Sequence, residues 1–136
     1  MNSLADSTRN LATYRQVQKE TLSGRSLEAA VLGKAAARMR KGLDLWELDG
    51  KEKELIDALK YNLRVWDVFH SDWEGHECTL PDDMRNDLLR LSIYVHKSVL
   101  EMIAYPNSSK INSLALVNES LSAGLMGRTA MPIHQA

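Results

Sequence analysis

The sequence predicts an all-α protein, a single-domain antiparallel bundle of about five helices, and three observations carry that expectation. Seven glycines and three prolines are few for 136 residues, and Leu, Ala, Lys, Arg and Glu, which lose little conformational freedom in a helix, dominate the rest. Apolar residues recur at spacings of three, four and seven along most of the chain. No stretch of useful length alternates as a half-buried strand would, and no internal repeat or low-complexity tract interrupts the pattern.

The length suits one domain. Residues 1–127 are expected to form it, with a first helix that could pack loosely, and residues 128–136 are expected to form a flexible tail. Hydrophobic residues make up 44% and charged ones 26%, which fits a folded chain rather than a disordered one. Cys78 is the single cysteine and has no internal disulfide partner. Without a basic segment leading into an apolar run at the start, a reducing, cytoplasmic setting is expected. The most apolar stretch, residues 88–103, is broken by Arg90, His96, Lys97 and Glu101, so no membrane span is expected.

The first element, residues 2–22, carries an incomplete helical stripe of Leu4, Leu11, Tyr14, Val17 and Leu22 and is expected to be a helix with a frayed start. Ser23-Gly24-Arg25-Ser26 reads as a break, with Ser26 capping a second helix whose inner face would be Leu27, Val31, Ala35 and Met39. Its many alanines make that face shallow. Gly42 reads as its stop, which would put Arg38, Arg40 and Lys41 in the last turn, at the negative end of the helix dipole.

A third helix is expected from Asp49-Gly50-Lys51-Glu52, whose spacing resembles a capping box. Its stripe of Leu55, Ile56, Leu59, Leu63, Trp66 and Phe69 marks it as central to the core. The segment from His70 to Thr79 loses periodicity and reads as a loop leading to Leu80-Pro81. Pro81 suits the first turn of a fourth helix, and Asp82 and Asp83 favour its positive dipole end. That helix carries Met84, Leu88, Leu91, Val95 and Met102, widened by Leu89, Ile93, Val99, Leu100 and Ile103, a breadth that calls for partners on more than one side. Tyr105-Pro106-Asn107 stops it. A fifth helix follows with Ile111, Leu114, Val117, Leu121 and Leu125, and Gly127 is its expected end. This last helix is expected to close the bundle rather than swing aside.

Formal net charge is -1, which provides no global field to gather nucleic acid or anionic lipid. The distribution is uneven: residues 1–46 hold eight Lys/Arg against four Asp/Glu, residues 47–90 six against twelve, and the remainder three against two. Intramolecular pairing is the first expectation for these segments. The cluster Arg38, Arg40 and Lys41 could meet phosphate, but no aromatic residue is interleaved with it in sequence except nearby Trp46, so direct nucleic-acid binding is disfavoured.

Catalytic motifs are missing. The segment from His70 through His76 to Cys78 brings three soft ligands within nine residues, yet their spacing matches no recurrent zinc pattern. His96 sits inside a helix, and His134 lies in the tail. No glycine-rich phosphate loop, nucleophile elbow or Rossmann opening is present. Neither an enzymatic activity, a metal nor a cofactor is expected.

The segment Ala58-Leu59-Lys60-Tyr61-Asn62-Leu63-Arg64-Val65-Trp66 resembles the AL-x-x-N-x-R-x-W element of the FlaF family of flagellar biosynthesis proteins. Further elements of that family follow in order: Asp72, Leu80-Pro81, Arg85, Leu91-Ser92-Ile93-Tyr94-Val95, Val117-Asn118 and Gly124-Leu125. Thr13-Tyr14 and Arg25-Ser26-Leu27-Glu28 are weaker versions of the family's opening elements. The sequence departs from the pattern at Leu63, where a second arginine is common, at Cys78-Thr79, where an asparagine usually precedes LP, and in the residues after Gly127.

The resemblance implies a cytoplasmic protein that binds unassembled flagellin through its amphipathic terminal segments and promotes its secretion and filament assembly. The alternative it leaves open is a post-transcriptional regulator of flagellin synthesis acting with FlbT or on flagellin mRNA. Asn62, Arg64 and Trp66 are candidate partner-binding residues, since an aromatic beside hydrogen-bonding groups makes a typical anchor. Trp66 and Asn62 also fit a core role, because both lie on or beside the apolar stripe. Trp46 and Trp73 are expected to be partly exposed and able to anchor a partner, and Asn118, Leu121 and Leu125 are the candidates in the last helix.

Overall fold

A computed structural model describes the backbone of residues 3–130 and the side chains of residues 24–127. The described residues form four helices and no strand: α1 (Ser3–Asp49), α2 (Lys53–Glu74), α3 (Asp82–Ala104) and α4 (Ser108–Ala130). Short connections turn each helix back on its predecessor. Side-chain bonds between distant residues fix the same antiparallel sense, since Arg40 meets Glu119 while Ser122 reaches the carbonyl of Ala29. Around the bundle the order is α1, α2, α3, α4. Helix α1 packs extensively on both α2 and α4, α2 packs on α3, and α3 meets α4 only sparingly.

The expected fifth helix is absent because α1 does not break at Ser23-Gly24-Arg25-Ser26. One helical glycine costs only about 1 kcal/mol and no proline accompanies it. Arg25 and Glu28, one turn apart, instead pair at 3.3 Å along the helix surface. Ser26 is therefore an interior residue and not a cap. Gly42 is also helical and buried. The real stop is Gly50 at φ 70°, the left-handed conformation glycine adopts without strain, with its N–H donating to Trp46 O at 2.9 Å. Arg38, Arg40 and Lys41 consequently sit well inside α1 and not in its last turn.

The inner face of α1 is Ala29, Leu32, Ala35, Ala36, Met39 and Leu43, so the expected row is corrected at its start: Leu27 is exposed and Val31 only half-buried. A step of four residues advances about 40° around a helix, so a row built on fours alone drifts off the packed face. Residues 4–22, which carry the expected first stripe, lie outside the described side chains.

Asp49 closes α1 and does not cap α2, and Glu52 at the α2 N-cap makes no side-chain cap bond. Helix α2 then runs one turn past the expected loop start at His70. Trp73, buried against Trp66 and Phe69, extends its apolar face, and His70 Nε2 lies 3.3 Å from Glu74 on the same helix surface. The connection is thus residues 75–81, and Pro81 takes the N-cap of α3 instead of its first turn. Asp82 and Asp83 do occupy that first turn.

Helix α3 buries Leu88, Val95, Val99 and Met102 with two serines, Ser92 and Ser98. Its breadth is not fully covered, and Ile93, Tyr94 and Leu100 remain exposed. Asn107 caps α4, its Oδ1 accepting from Lys110 N at 2.9 Å. Gly127 does not end α4, which continues to Ala130, so the expected tail loses its first three residues to the helix; residues 131–136 lie outside the described residues. No described helix is long and apolar enough to cross a membrane.

Candidate partner-binding site

The residues singled out in α2 and α4 come together, but inside the protein. Asn62, Trp66 and Asn118 are all completely buried. Trp66 Nε1 donates to Asn118 Oδ1 at 3.0 Å, while Asn118 Nδ2 donates to Asn62 Oδ1 at 2.8 Å and to the Leu32 carbonyl at 3.2 Å. One amide thereby links α1, α2 and α4. Asn62 Nδ2 finds no partner among the described residues. These three residues position the bundle and offer nothing to a partner's surface.

Trp73, expected to be partly exposed, is 5% exposed. Its ring meets Trp66 edge-on at 6.1 Å between centroids and Phe69 at 5.7 Å, and its carbonyl accepts from Arg85 Nη1 at 3.1 Å. Trp46 is half-buried against the core. Leu125 is buried, Leu121 is half-buried, and Arg64 is exposed. Of the eight candidates, Arg64, Leu121 and Trp46 therefore retain accessible surface.

Leu121 contributes to a feature the stripes did not announce. Along the loosely joined α3–α4 seam, Leu91, Leu116, Val117, Ser120 and Leu121 line a shallow, largely apolar groove of about 430 Å³. Leu116 is 48% exposed there. The signal for it lies in α4 itself, which is apolar on most sides and so cannot bury all of its faces against α1 alone. Lys110 Nζ, bonded to Glu101 Oε1, ties α3 to α4 at the end of the seam nearest their connection.

On the other side, Arg40 fastens α4 to α1, donating from Nε and Nη2 to Glu119 at 2.8 and 2.9 Å and from Nη1 to Asn112 at 2.7 Å. The hydrogen bond from Arg40 is the main reason the Glu119 carboxyl lies below its ordinary range. A second polar seam joins α2 and α3, where His70 Nδ1 lies 2.8 Å from Ser92 Oγ and His96 Nδ1 lies 3.1 Å from Asp67 Oδ1. Cys78 is half-buried and free. Among the described residues, no three His, Cys, Asp or Glu side chains converge on a point that could hold a metal ion. His134 lies outside the described residues.

No curated protein and no solved structure matches the chain. A family model described as flagellar protein FlaF matches residues 10–125, which takes in all of α2 and α3, most of α1 and the groove-lining part of α4. By that match the chain belongs to the FlaF family of flagellar proteins.

Proposed function

We propose that this chain is a cytoplasmic binding protein for unassembled flagellin, which it keeps soluble for secretion and filament assembly. The observation that carries this reading is the apolar α3–α4 groove, where Leu91, Leu116, Val117 and Leu121 present unpartnered apolar surface on a flagellar-family protein. An amphipathic helix laid into such a groove buries its own apolar face, which would otherwise promote self-association. The terminal segments of flagellin have that character. Binding of this kind requires no bond to be made or broken, and the reading includes no enzymatic step.

The test is size-exclusion chromatography of the purified chain mixed with monomeric flagellin, at low and at high salt. An apolar contact gives a complex that persists when salt rises, because screening acts on charges and not on buried apolar area. Leu116→Glu, at an exposed position, should abolish the complex while leaving the fold intact. No complex at any salt would overturn direct flagellin holding and favour regulation of flagellin synthesis with FlbT or on flagellin mRNA.

A further inference from the structure

We propose that the outer face of the α1–α2 pair is a second docking surface, built to take an acidic amphipathic segment of a partner protein. It lies on the opposite side of the bundle from the α3–α4 groove and does not depend on what that groove binds.

The face is assembled from two rows. Lys34, Arg38 and Lys41 follow one another at intervals of four and three along α1, and Lys60 and Arg64 lie one turn apart on α2. Tyr61 joins the rows: the Arg38 guanidinium lies 4.3 Å from its ring centroid and the Lys34 ammonium 5.9 Å. Here is the interleaved aromatic that the linear sequence lacked around Arg38, supplied by the neighbouring helix.

Cations without an ion-pair partner are concentrated on this face; the others among the described residues, Lys51, Arg85 and Lys97, stand singly on different parts of the chain. Arg25, Arg40, Lys53, Arg90 and Lys110 each have a carboxylate within 3.3 Å. Among the described residues, none of Lys34, Arg38, Lys41, Lys60 and Arg64 has one, although the chain as a whole carries more acids than bases. Asp57 stands one turn before Lys60 and Tyr61 on this same face of α2; it is bonded to Lys53 at 2.8 Å and lies within electrostatic reach of Lys60 and Arg38, so it offsets part of their charge. Five cations without an ion-pair partner still outnumber the acid among them, and the excess leaves a positive field that an acidic segment would neutralise.

Two further features favour a protein segment over nucleic acid. Arg38 covers the Tyr61 ring on which an unpaired base would stack. The same stacking holds the guanidinium in place before a carboxylate arrives, which reduces the ordering cost of binding. Beyond the cations, at the end away from the connection, the face also carries two exposed apolar side chains. Val68, one turn past Arg64, is 58% exposed, and Leu27, two turns before Lys34, is 64% exposed. An acidic helix with apolar residues at one end matches this order, whereas a phosphate backbone gains nothing from Leu27 and Val68.

The probe is a fluorescein-labelled synthetic helix with glutamates along one face and leucines at one end. Its glutamine counterpart and a uridine oligonucleotide of equal charge serve as comparisons. Each is titrated by fluorescence anisotropy against the full chain at near-physiological salt. The acidic peptide should bind, the glutamine peptide should not, and Lys34→Glu with Arg64→Glu should weaken binding by roughly tenfold or more. Arg90→Glu, which reverses an exposed cation elsewhere, should change it less than about twofold. Both reversed positions are exposed; should their melting temperature fall, Lys60→Gln with Arg64→Gln gives the same reading without added repulsion. Tighter binding of the oligonucleotide, equal weakening by Arg90→Glu, or binding of neither probe would overturn the proposal.

Discussion

Arg40 of α1 grips both carboxylate oxygens of Glu119 on α4, from Nε at 2.8 Å and Nη2 at 2.9 Å, across 79 residues of sequence. Forked geometry of this kind carries more directional information than a single-point ion pair. It fixes the register in which α4 lies along α1, and with it the groove residues Leu116, Val117 and Leu121.

The pair gives stability a definite pH dependence. Hydrogen bonding from Arg40 lowers the Glu119 pKa below its ordinary value of 4.5. A depressed carboxylate contributes stability that is fully present above the unfolded-state value and is lost as pH falls through the folded one. Side chains 37% and 41% exposed hold the contribution to about 0.2–1 kcal/mol. Glu119→Gln should therefore be less stable than the parent by that amount at pH 7, and the two should converge as the medium is acidified below the ordinary carboxylate range. Urea unfolding across that range checks it, and a gap that stays constant down to strong acid would show that the ion pair contributes nothing.

Asn118 and Asn62 should respond very differently to truncation. Asn118→Ala removes the acceptor of Trp66 Nε1 and the donor to Asn62 and Leu32, leaving buried polar groups unsatisfied, at a cost of about 2–4 kcal/mol. Asn62→Ala removes one bond together with an unpartnered buried Nδ2, so its cost should be about 1 kcal/mol or less. Equilibrium unfolding of both variants gives the comparison, and equal losses would mean that the amide network is not where the energy lies.

Trp73 and Trp46 separate in the same way. Trp73 packs against Trp66 and Phe69, and Trp73→Ala should cost about 3–5 kcal/mol. Trp46 is half-buried near the end of α1, so Trp46→Ala should cost roughly half as much or less. If the chain holds flagellin as proposed, loss of that binding by a Trp73 variant would report unfolding, and thermal melts distinguish this from a lost contact.

Legibility in the sequence followed the range of the interactions. The α2 stripe could be read because Leu55, Leu59, Trp66 and Phe69 are buried by one local period. The continuity of α1 could not, since a glycine between serines looks alike whether the helix breaks there or absorbs the cost. Asn118 offered no local signal, because its partners stand 52, 56 and 86 residues away. The α3–α4 groove escaped for a related reason: Leu116 and Leu121 are equally apolar, and only packing decides which side α1 covers.

Gly42 shows how such a tertiary demand can be tested. A Cβ at this position would lie 2.6 Å from Leu55 Cα, 2.9 Å from Leu55 N and 3.0 Å from the Glu54 carbonyl, all backbone atoms that cannot rotate away. Gly42→Ala would gain about 0.5–1 kcal/mol of helix propensity but force α1 and α2 apart, typically a loss of 1–3 kcal/mol or more. A net loss of at least 1 kcal/mol is expected. Gly124, also helical, has nothing within 4 Å of the same construction, and Gly33 meets only Ser122 Oγ at 3.8 Å. Gly124→Ala and Gly33→Ala should therefore each stabilise the protein by about 0.5–1 kcal/mol. Thermal and urea unfolding of the three variants give the signs. If Gly42→Ala is stabilising as well, α2 does not approach α1 as closely as the backbone contact at Leu55 requires, and the glycine is an ordinary helix residue.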